Sequence, residues 1–198
     1  MSVKEKKAAK IEAMLREGME ILWSNGYNGT SVNDIVSAAG VPKGSFYFYF
    51  DSKDDFVLKA LERYYLMECK PAFRLLEEKN KSAKERLLSF YRFRNENMKE
   101  ELNCEKGSMI CNISNEMSEH NEAIRSKIKG LHAMTHKKII KVVDEAQEEG
   151  SMKKNIPAAE VVDFIENVFN GALITMKENK NGKSLDSALE IVEMSFFQ

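Results

Sequence analysis

Apolar residues recur at helical spacing along most of the chain, and turn-forming residues separate one apolar stripe from the next. Apolar residues three and four positions apart lie on one face of an α-helix, so the pattern predicts a series of amphipathic helices. The first helix is predicted from about residue 4 to residue 24, and Asn25-Gly26 ends it. Its buried stripe is predicted to consist of Ile11, Leu15, Met19 and Leu22.

Residues 30–50 predict two short helices joined by a tight turn. Thr30 or Ser31 can cap the first of them by accepting a hydrogen bond from its free amides. Gly40 suits the left-handed conformation at a helix end, and Pro42 suits the first turn of the next helix. This order is typical of a helix-turn-helix, whose second helix enters the major groove of DNA. The apolar face of the first short helix is predicted to be Val32, Ile35, Val36 and Ala39.

The second short helix carries side chains that suit a DNA surface. Lys43 is a cation beside Gly44, where the backbone can approach a phosphate closely. Phe46 and Phe50 lie four residues apart and are predicted to face inward. An aromatic strand over residues 46–50 is the alternative, but no partner strand is predicted nearby. Hydroxyl groups that can bond phosphate oxygens or base edges come from Ser45, Tyr47 and Tyr49.

Helical periodicity continues to the end of the chain, without competing strand signals. Ser52 is predicted to cap a helix that Pro71 interrupts, and Ser82 with Glu85 forms a capping box for the next one. All three prolines lie at predicted boundaries, which favours an all-α fold of about nine helices. The later predicted features are a break over residues 103–107, a long helix over 124–146 closed by Gly150, a helix over 158–178, and a last helix capped by Ser184.

The last two predicted helices are apolar on more than one side. A helix that is apolar on two sides needs two partners, so we expect them to form a four-helix interface with a second copy of the chain. The alternative is that both sides are buried within one monomer. The predicted interface residues are Phe164, Val168, Ala172, Leu189, Val192 and Phe196.

Composition fits a cytoplasmic helical protein. The 198 residues carry a net charge of −1, and 43% of them are hydrophobic. No apolar run is long enough to span a bilayer and no signal peptide is visible, so we expect a cytoplasmic location. Net charge does not argue against DNA binding, because binding requires only a local basic surface. The N-terminal lysines are expected to form either a DNA-contacting arm or a solvated tail; they are Lys4, Lys6, Lys7 and Lys10.

No catalytic arrangement is visible, and the sequence predicts neither an enzyme nor a cofactor. His132 and His136 have the spacing of metal ligands on a helix, but no matching set of further ligands accompanies them, so no metal site is predicted. The three cysteines are expected to be reduced thiols. A redox role for Cys104 or Cys111 is left open by the sequence.

An ordered series of motifs resembles the signature of the tetracycline-repressor (TetR) family. It comprises Gly26-Tyr27, Thr30-Ser31-Val32, Asp34-Ile35, Ala38-Ala39-Gly40-Val41, Lys43-Gly44-Ser45-Phe46-Tyr47, Phe50 and Ser52-Lys53, about a quarter of the chain. The resemblance implies a DNA-binding domain over residues 1–53 and a ligand-binding and dimerisation domain over residues 54–198. Phe48 departs from the family, which often has Tyr or His there, and Tyr49 stands where His is common. The implied DNA-binding residues are Lys43, Gly44, Ser45, Tyr47, Tyr49, Lys53 and Ser31.

The resemblance also implies a ligand pocket in the second domain. Met side chains adapt to irregular apolar pockets, although core filling is the better explanation for any single pocket candidate. Residues 107–112 resemble a segment that carries a sensing cysteine in one branch of the family, but Ser108 stands at that cysteine's position, which makes cysteine sensing doubtful. The predicted pocket residues are Phe90, Tyr91, Met98, Met109, Met117, Met134 and Phe169.

The predicted function is that of a ligand-responsive transcriptional regulator, most often a repressor in this family. It would bind a near-palindromic double-stranded DNA operator as a homodimer and be released by a small-molecule effector. The alternative from another class is a helical ligand-binding or enzymatic bundle whose helix-turn-helix is only structural. Protection of a palindromic DNA site distinguishes the two.

Overall fold

The computed structural model describes the backbone of residues 3–198 and the side chains of residue 5 and residues 7–198. The predicted arm lies partly outside this range, since the side chains of Lys4 and Lys6 are not described. Lys7 and Lys10 are exposed residues of the first helix.

Nine α-helices make up most of residues 3–198, and no β-strand occurs among them. One antiparallel bridge joins Met152 to Phe197. The all-α fold predicted from the sequence is therefore confirmed. The helices are α1 (Val3–Asn25), α2 (Val32–Ala38), α3 (Lys53–Tyr64), α4 (Phe73–Leu76), α5 (Ala83–Glu96), α6 (Met109–Met117), α7 (Glu122–Glu148), α8 (Ala158–Asn179) and α9 (Lys183–Phe196).

Of the described residues, 3–67 and 109–130 form one compact unit, called unit 1 below. It contains α1 to α3, α6 and the start of α7. Its centre is built where α1 meets α2 and α3: a Cβ on Gly18 would lie 2.8 Å from both Ile35 and Phe56. The predicted stripe of α1 is only partly right. Met19 and Leu22 are buried and Ile11 and Leu15 half-buried, while Met14 and Trp23, which were not predicted, are buried.

The segment after α2 is a 3₁₀ helix, Lys43–Phe48, where the sequence predicted an ordinary short helix. It is called the 3₁₀ segment below. Pro42 precedes it as its N-cap instead of lying in its first turn, and the amide of Ser45 bonds to the Pro42 carbonyl at 2.8 Å. Six residues that include Gly44 have little propensity to extend an α-helix, and 3₁₀ geometry is common in short pieces.

Residues 68–108 and 131–198 form the second compact unit, called unit 2 below. It contains α4, α5, most of α7, α8 and α9. The predicted capping box is present: Ser82 accepts from the Glu85 amide at 3.2 Å, and the Glu85 carboxylate accepts from the Ser82 amide at 2.9 Å. The predicted cap of the last helix is wrong. Gly182 is the N-cap of α9, and the Ser184 hydroxyl donates instead to the Ala172 carbonyl at 2.8 Å.

These compact units are not divided at residue 53. Helix α3 and residues 109–130 belong to the same unit as the N-terminal helices. Unit 1 therefore includes residues that were assigned to the predicted regulatory domain. The division into residues 1–53 and 54–198 stays a prediction about function.

Candidate nucleic-acid interface

The 3₁₀ segment exposes one set of side chains and buries another. Lys43 and Gly44 are exposed, and no atom lies within 4 Å of a Cβ placed on Gly44, so the backbone there is open to a close approach. Tyr47 is 65% exposed and Phe48 is 78% exposed. Ser45 and Tyr49 are half-buried. A cation, an open backbone and two aromatic side chains therefore share one solvent-facing surface.

Phe46 holds this surface on unit 1. It is fully buried, and its ring centroid lies 5.2 Å from that of Phe50 and 6.1 Å from that of Phe56 on α3. Phe50 is 1% exposed and meets Phe56 edge to face at 5.2 Å. The prediction that Phe46 and Phe50 face inward is confirmed. Three packed aromatic rings thus fix the orientation of the 3₁₀ segment.

Two predicted DNA contacts already have partners within unit 1. The Lys53 ammonium donates to the Tyr27 carbonyl at 2.6 Å and lies 4.0 Å from the centroid of the Tyr27 ring. The Ser31 hydroxyl accepts from the Asp34 amide at 3.2 Å and the Asp34 carboxylate accepts from the Ser31 amide at 2.7 Å, which forms a capping box at the start of α2. Both side chains are used for local structure, so their roles in DNA binding stay predictions.

Glu116, on α6, binds the turn between α1 and α2. Its carboxylate accepts from the Tyr27 amide at 3.1 Å and from the Asn28 amide at 2.9 Å. Gly26 has a φ of +74°, and a Cβ there would lie 2.0 Å from a Glu116 oxygen. Only glycine combines that backbone conformation with so close an approach. The turn that leads into the helix-turn-helix is therefore fixed by a residue far along the chain.

Asp54 extends this network to the start of α3. It accepts from the Tyr27 hydroxyl at 2.5 Å and from the Asn121 side chain at 2.8 Å. Burial, the hydrogen bond to Asp54 and its charge raise the pKa of Tyr27 to about 12, so the phenol stays a donor at physiological pH. Burial lowers the pKa of Lys53, and the carboxylates of Asp54 and Glu116 oppose that change.

The sequence did not identify this network as a functional feature. Gly26 and Tyr27 were noted only as part of a motif, because nothing in the local pattern pairs Tyr27 with Glu116, 89 positions away. The local signal that could have drawn attention to this turn was the glycine at the end of the first helix, which an aromatic residue follows directly.

In unit 2, three of the predicted pocket residues surround the guanidinium of Arg94. Its central carbon lies 4.0 Å from the ring centroid of Phe169, 5.2 Å from that of Phe90 and 5.6 Å from that of Tyr91. Arg94 forms a two-point ion pair with Glu166, at 2.6 and 3.1 Å. The side chain of Glu166 is 10% exposed and that of Arg94 is 21% exposed, and the pair was not predicted from the sequence.

The seven predicted pocket residues are divided between the two units. In unit 2, Met98 packs in an apolar cluster that also contains Phe169, Leu173 and Met176. Met109 and Met117 are buried on α6 in unit 1, and Met134 on α7 is 48% exposed. Within unit 2, Phe90, Tyr91 and Phe169 thus meet at the Arg94 guanidinium, and Met98 shares an apolar cluster with Phe169.

The predicted interface residues divide into an outward set and an inward set. Phe164 is 52% exposed, and Val168 and Leu189 are half-buried beside a shallow apolar groove between α5, α8 and α9. The remaining members of the set pack inside the chain and are at most 9% exposed; they are Ala172, Val192 and Phe196. Large apolar side chains that are exposed on α8 and α9 are Phe164, Ile174, Ile191 and Met194.

His132 and His136 stack with ring centroids 6.3 Å apart. Burial and the neighbouring His136 lower the pKa of His132. Nδ1 of His136 lies 3.1 Å from an Asp163 oxygen. Across the described part of the chain, no three His, Cys, Asp or Glu side chains are placed to hold a metal ion. The three cysteines form no disulfide bond; Cys104 is buried, and Cys69 and Cys111 are half-buried.

Comparison with known proteins agrees with this geometry. Residues 14–60 match the profile of the bacterial regulatory proteins of the tetR family, and residues 83–192 match the tetracyclin repressor-like C-terminal domain. The chain belongs to the tetR family. It is therefore a DNA-binding transcriptional regulator of the helix-turn-helix type, as the resemblance implied. None of the helices described over residues 3–198 is long and apolar enough to cross a membrane.

Three relatives of this tetR-family chain illustrate the similarity. The HTH-type transcriptional repressor DhaR of Mycobacterium sp. (strain GP1) is 28% identical over 179 residues, which are 90% of this chain and 88% of DhaR. The crystal structure of regulatory protein TetR from Rhodobacter sphaeroides has a TM-score of 0.85 at 25% identity and covers 93% of this chain and 97% of its own. The regulator CifR, solved with a 26-bp double-stranded operator DNA, has a TM-score of 0.80 at 18% identity. The match covers 93% of this chain and 95% of the CifR chain, and it concerns the fold alone.

Replacing Glu116 with Gln should loosen the turn before α2. The two backbone amides donate to different oxygens of the carboxylate, and glutamine has an NH2 group in place of one of these oxygens, so one amide loses its acceptor. The loss of a hydrogen bond to a charged group should lower the free energy of unfolding by about 1–2 kcal/mol. Hydrogen exchange of the Tyr27 and Asn28 amides, followed by NMR, should become faster. Glu119→Gln makes the same charge change at an exposed position and should leave both amides unaffected.

Proposed function

We propose that this regulator is a repressor that binds a near-palindromic DNA operator as a homodimer in the cytoplasm and is released by a small-molecule effector. The observation that carries the proposal is the surface of the 3₁₀ segment. It presents Lys43, Gly44 and Tyr47 to solvent on a support of buried aromatic rings. A segment held in one orientation can enter the major groove without the entropic cost of ordering itself on DNA.

The exposed groups divide the tasks of DNA recognition. Lys43 is placed to neutralise a phosphate, and the open backbone at Gly44 permits close approach to the same strand. The Tyr47 hydroxyl can bond a phosphate or a base edge. Lys53 is better explained as support for the Tyr27 turn, because its ammonium is already bonded there.

Homodimerisation is supported by the exposed apolar side chains of α8 and α9. A second copy related by twofold symmetry would cover Phe164, Ile174, Ile191 and Met194, and would place two 3₁₀ segments on one face of DNA. The same symmetry explains why the operator should be near-palindromic.

Replacing Met194 with Asp should weaken the dimer at least about a hundredfold, because an unpaired carboxylate would be buried at the interface. Sedimentation velocity over a concentration series measures the change. Met134→Asp places the same charge at an exposed methionine of α7 and is the matched control. If the two variants dissociate equally, the face formed by α8 and α9 is not the interface.

Effector binding is proposed for unit 2, where Phe90, Tyr91 and Phe169 surround the Arg94–Glu166 pair. An effector that binds one dimer geometry more tightly than the other shifts the population between them. If the favoured geometry spaces the 3₁₀ segments wrongly, affinity for DNA falls by the same coupling free energy.

Selection from a random-sequence pool of duplex DNA tests the proposal. The purified protein should enrich a duplex with two inverted half-sites, and the logarithm of its affinity should fall linearly with the logarithm of salt concentration. Failure to enrich any duplex at low salt would favour a helical bundle with a purely structural helix-turn-helix.

A further inference from the structure

Phe48 is an apolar side chain at the place where a DNA reader meets its target. It lies at the end of the 3₁₀ segment and is 78% exposed. Among the residues with described side chains, no large apolar one is more exposed. Its neighbours Phe46 and Phe50 are buried, so the segment has a formed core to which Phe48 does not contribute. A packing role within unit 1 therefore does not account for Phe48.

The chemistry of the major groove limits what an exposed phenyl ring can gain there. Guanine, cytosine and adenine present hydrogen-bond donors and acceptors at their major-groove edges, whereas thymine also presents a C5-methyl group. A phenyl ring cannot bond to the donors and acceptors, and covering them would cost their hydration. The thymine methyl is the one apolar group on the groove floor whose burial against the ring is favourable.

We infer that Phe48 is a specificity-determining residue that selects thymine by covering its C5-methyl group. The polar neighbours Lys43 and Tyr47 supply affinity and position the segment, and Phe48 adds base identity at one position in each half-site. This inference rests on the proposed DNA-binding function and adds the chemistry by which one base pair is chosen.

The test removes only the methyl group. A duplex is selected from a random pool with the wild-type protein, and each symmetry-related pair of thymines is then replaced by deoxyuridine, which lacks the C5-methyl and keeps every hydrogen-bonding group. At one position the wild-type protein should bind about fourfold more weakly for each methyl lost, which corresponds to ~0.8 kcal/mol, and about sixteenfold more weakly when both half-sites are changed. Fluorescence anisotropy at constant salt measures the affinities.

Phe48→Ala should bind the thymine duplex more weakly and respond less than twofold to the same deoxyuridine substitution. Lys43→Ala is the matched control in the same segment. It should lose affinity for both duplexes equally and retain the wild-type response to the methyl group. Because each comparison uses one protein on two duplexes, a change in stability cannot imitate the result.

Two outcomes would overturn the inference, and they differ from each other. If a duplex is selected but no thymine-to-deoxyuridine change affects the wild type more than Phe48→Ala, DNA binding stands and Phe48 does not read a methyl group. If no duplex is selected at any salt concentration, the proposed function fails, and the role of Phe48 fails with it.

Discussion

Replacing Glu166 with Ala should lower the free energy of unfolding by about 3–5 kcal/mol, because it leaves the guanidinium of Arg94 without its counter-ion. Glu166 is 8% exposed and holds Arg94 through two hydrogen bonds, at 2.6 and 3.1 Å. The ring of Phe169, 4.0 Å from the guanidinium, can offset only part of the loss. Urea denaturation followed by circular dichroism measures the change.

The control for this substitution is a second Arg–Glu pair, whose side chains are more exposed to solvent. Arg92 and Glu193 lie 3.3 Å apart with side chains 56% and 36% exposed. Glu193→Ala should therefore cost no more than about 1 kcal/mol. Equal effects of the two substitutions would mean that the lower exposure of the Arg94–Glu166 pair does not strengthen it.

The stabilising effect of Glu166 should depend on pH in a definite direction. Burial opposes ionisation of its carboxyl, but the charge and hydrogen bonds of Arg94 outweigh burial and hold the pKa below its ordinary value of 4.5. The contribution of the pair is therefore complete above that value and is lost as the pH falls through the lowered pKa. In the same denaturation measurements, the stability difference between wild type and Glu166→Ala should shrink only under acidic conditions.

Replacing Phe46 with Ala should cost unit 1 about 3–5 kcal/mol and abolish DNA binding. The side chain is fully buried and contacts the rings of Tyr47, Phe50 and Phe56, with centroids 5.3, 5.2 and 6.1 Å away. Its removal would leave a cavity beneath the segment that must be held rigid. Thermal unfolding and binding to the selected duplex measure the two effects.

Phe48→Ala is the matched control for Phe46→Ala, since it removes the same side chain two residues away from an exposed position. It should leave the midpoint of thermal unfolding within about 1 °C of wild type, because it removes no buried contact. If Phe48→Ala destabilises the protein as much as Phe46→Ala does, the division of the segment into an inner and an outer face is wrong.

Sequence reasoning succeeded where the controlling interaction is local. The capping box of Ser82 and Glu85 and the inward placement of Phe46 and Phe50 each depend on residues three or four apart. Such spacings are fixed by helical geometry, so they can be read from the sequence alone. The helix-turn-helix was found for the same reason.

The interactions that the sequence did not predict join residues that lie far apart along the chain. Glu116 bonds to amides 88 and 89 positions away, and Arg94 pairs with Glu166 across 72 positions. Periodicity tells which face of a helix is buried and carries no information on which polar groups meet across helices. Ser184 was assigned to a cap because of its residue type, yet its hydroxyl has a partner on α8, the Ala172 carbonyl.

In the proposed complex, the two 3₁₀ segments of a dimer occupy successive major grooves on one face of DNA. Hydroxyl-radical footprinting on the selected duplex measures this most directly. We expect two symmetric protected patches whose centres are one helical turn or a small multiple of it apart, about 34–36 Å per turn. A single protected patch, or uniform protection that does not depend on sequence, would contradict it.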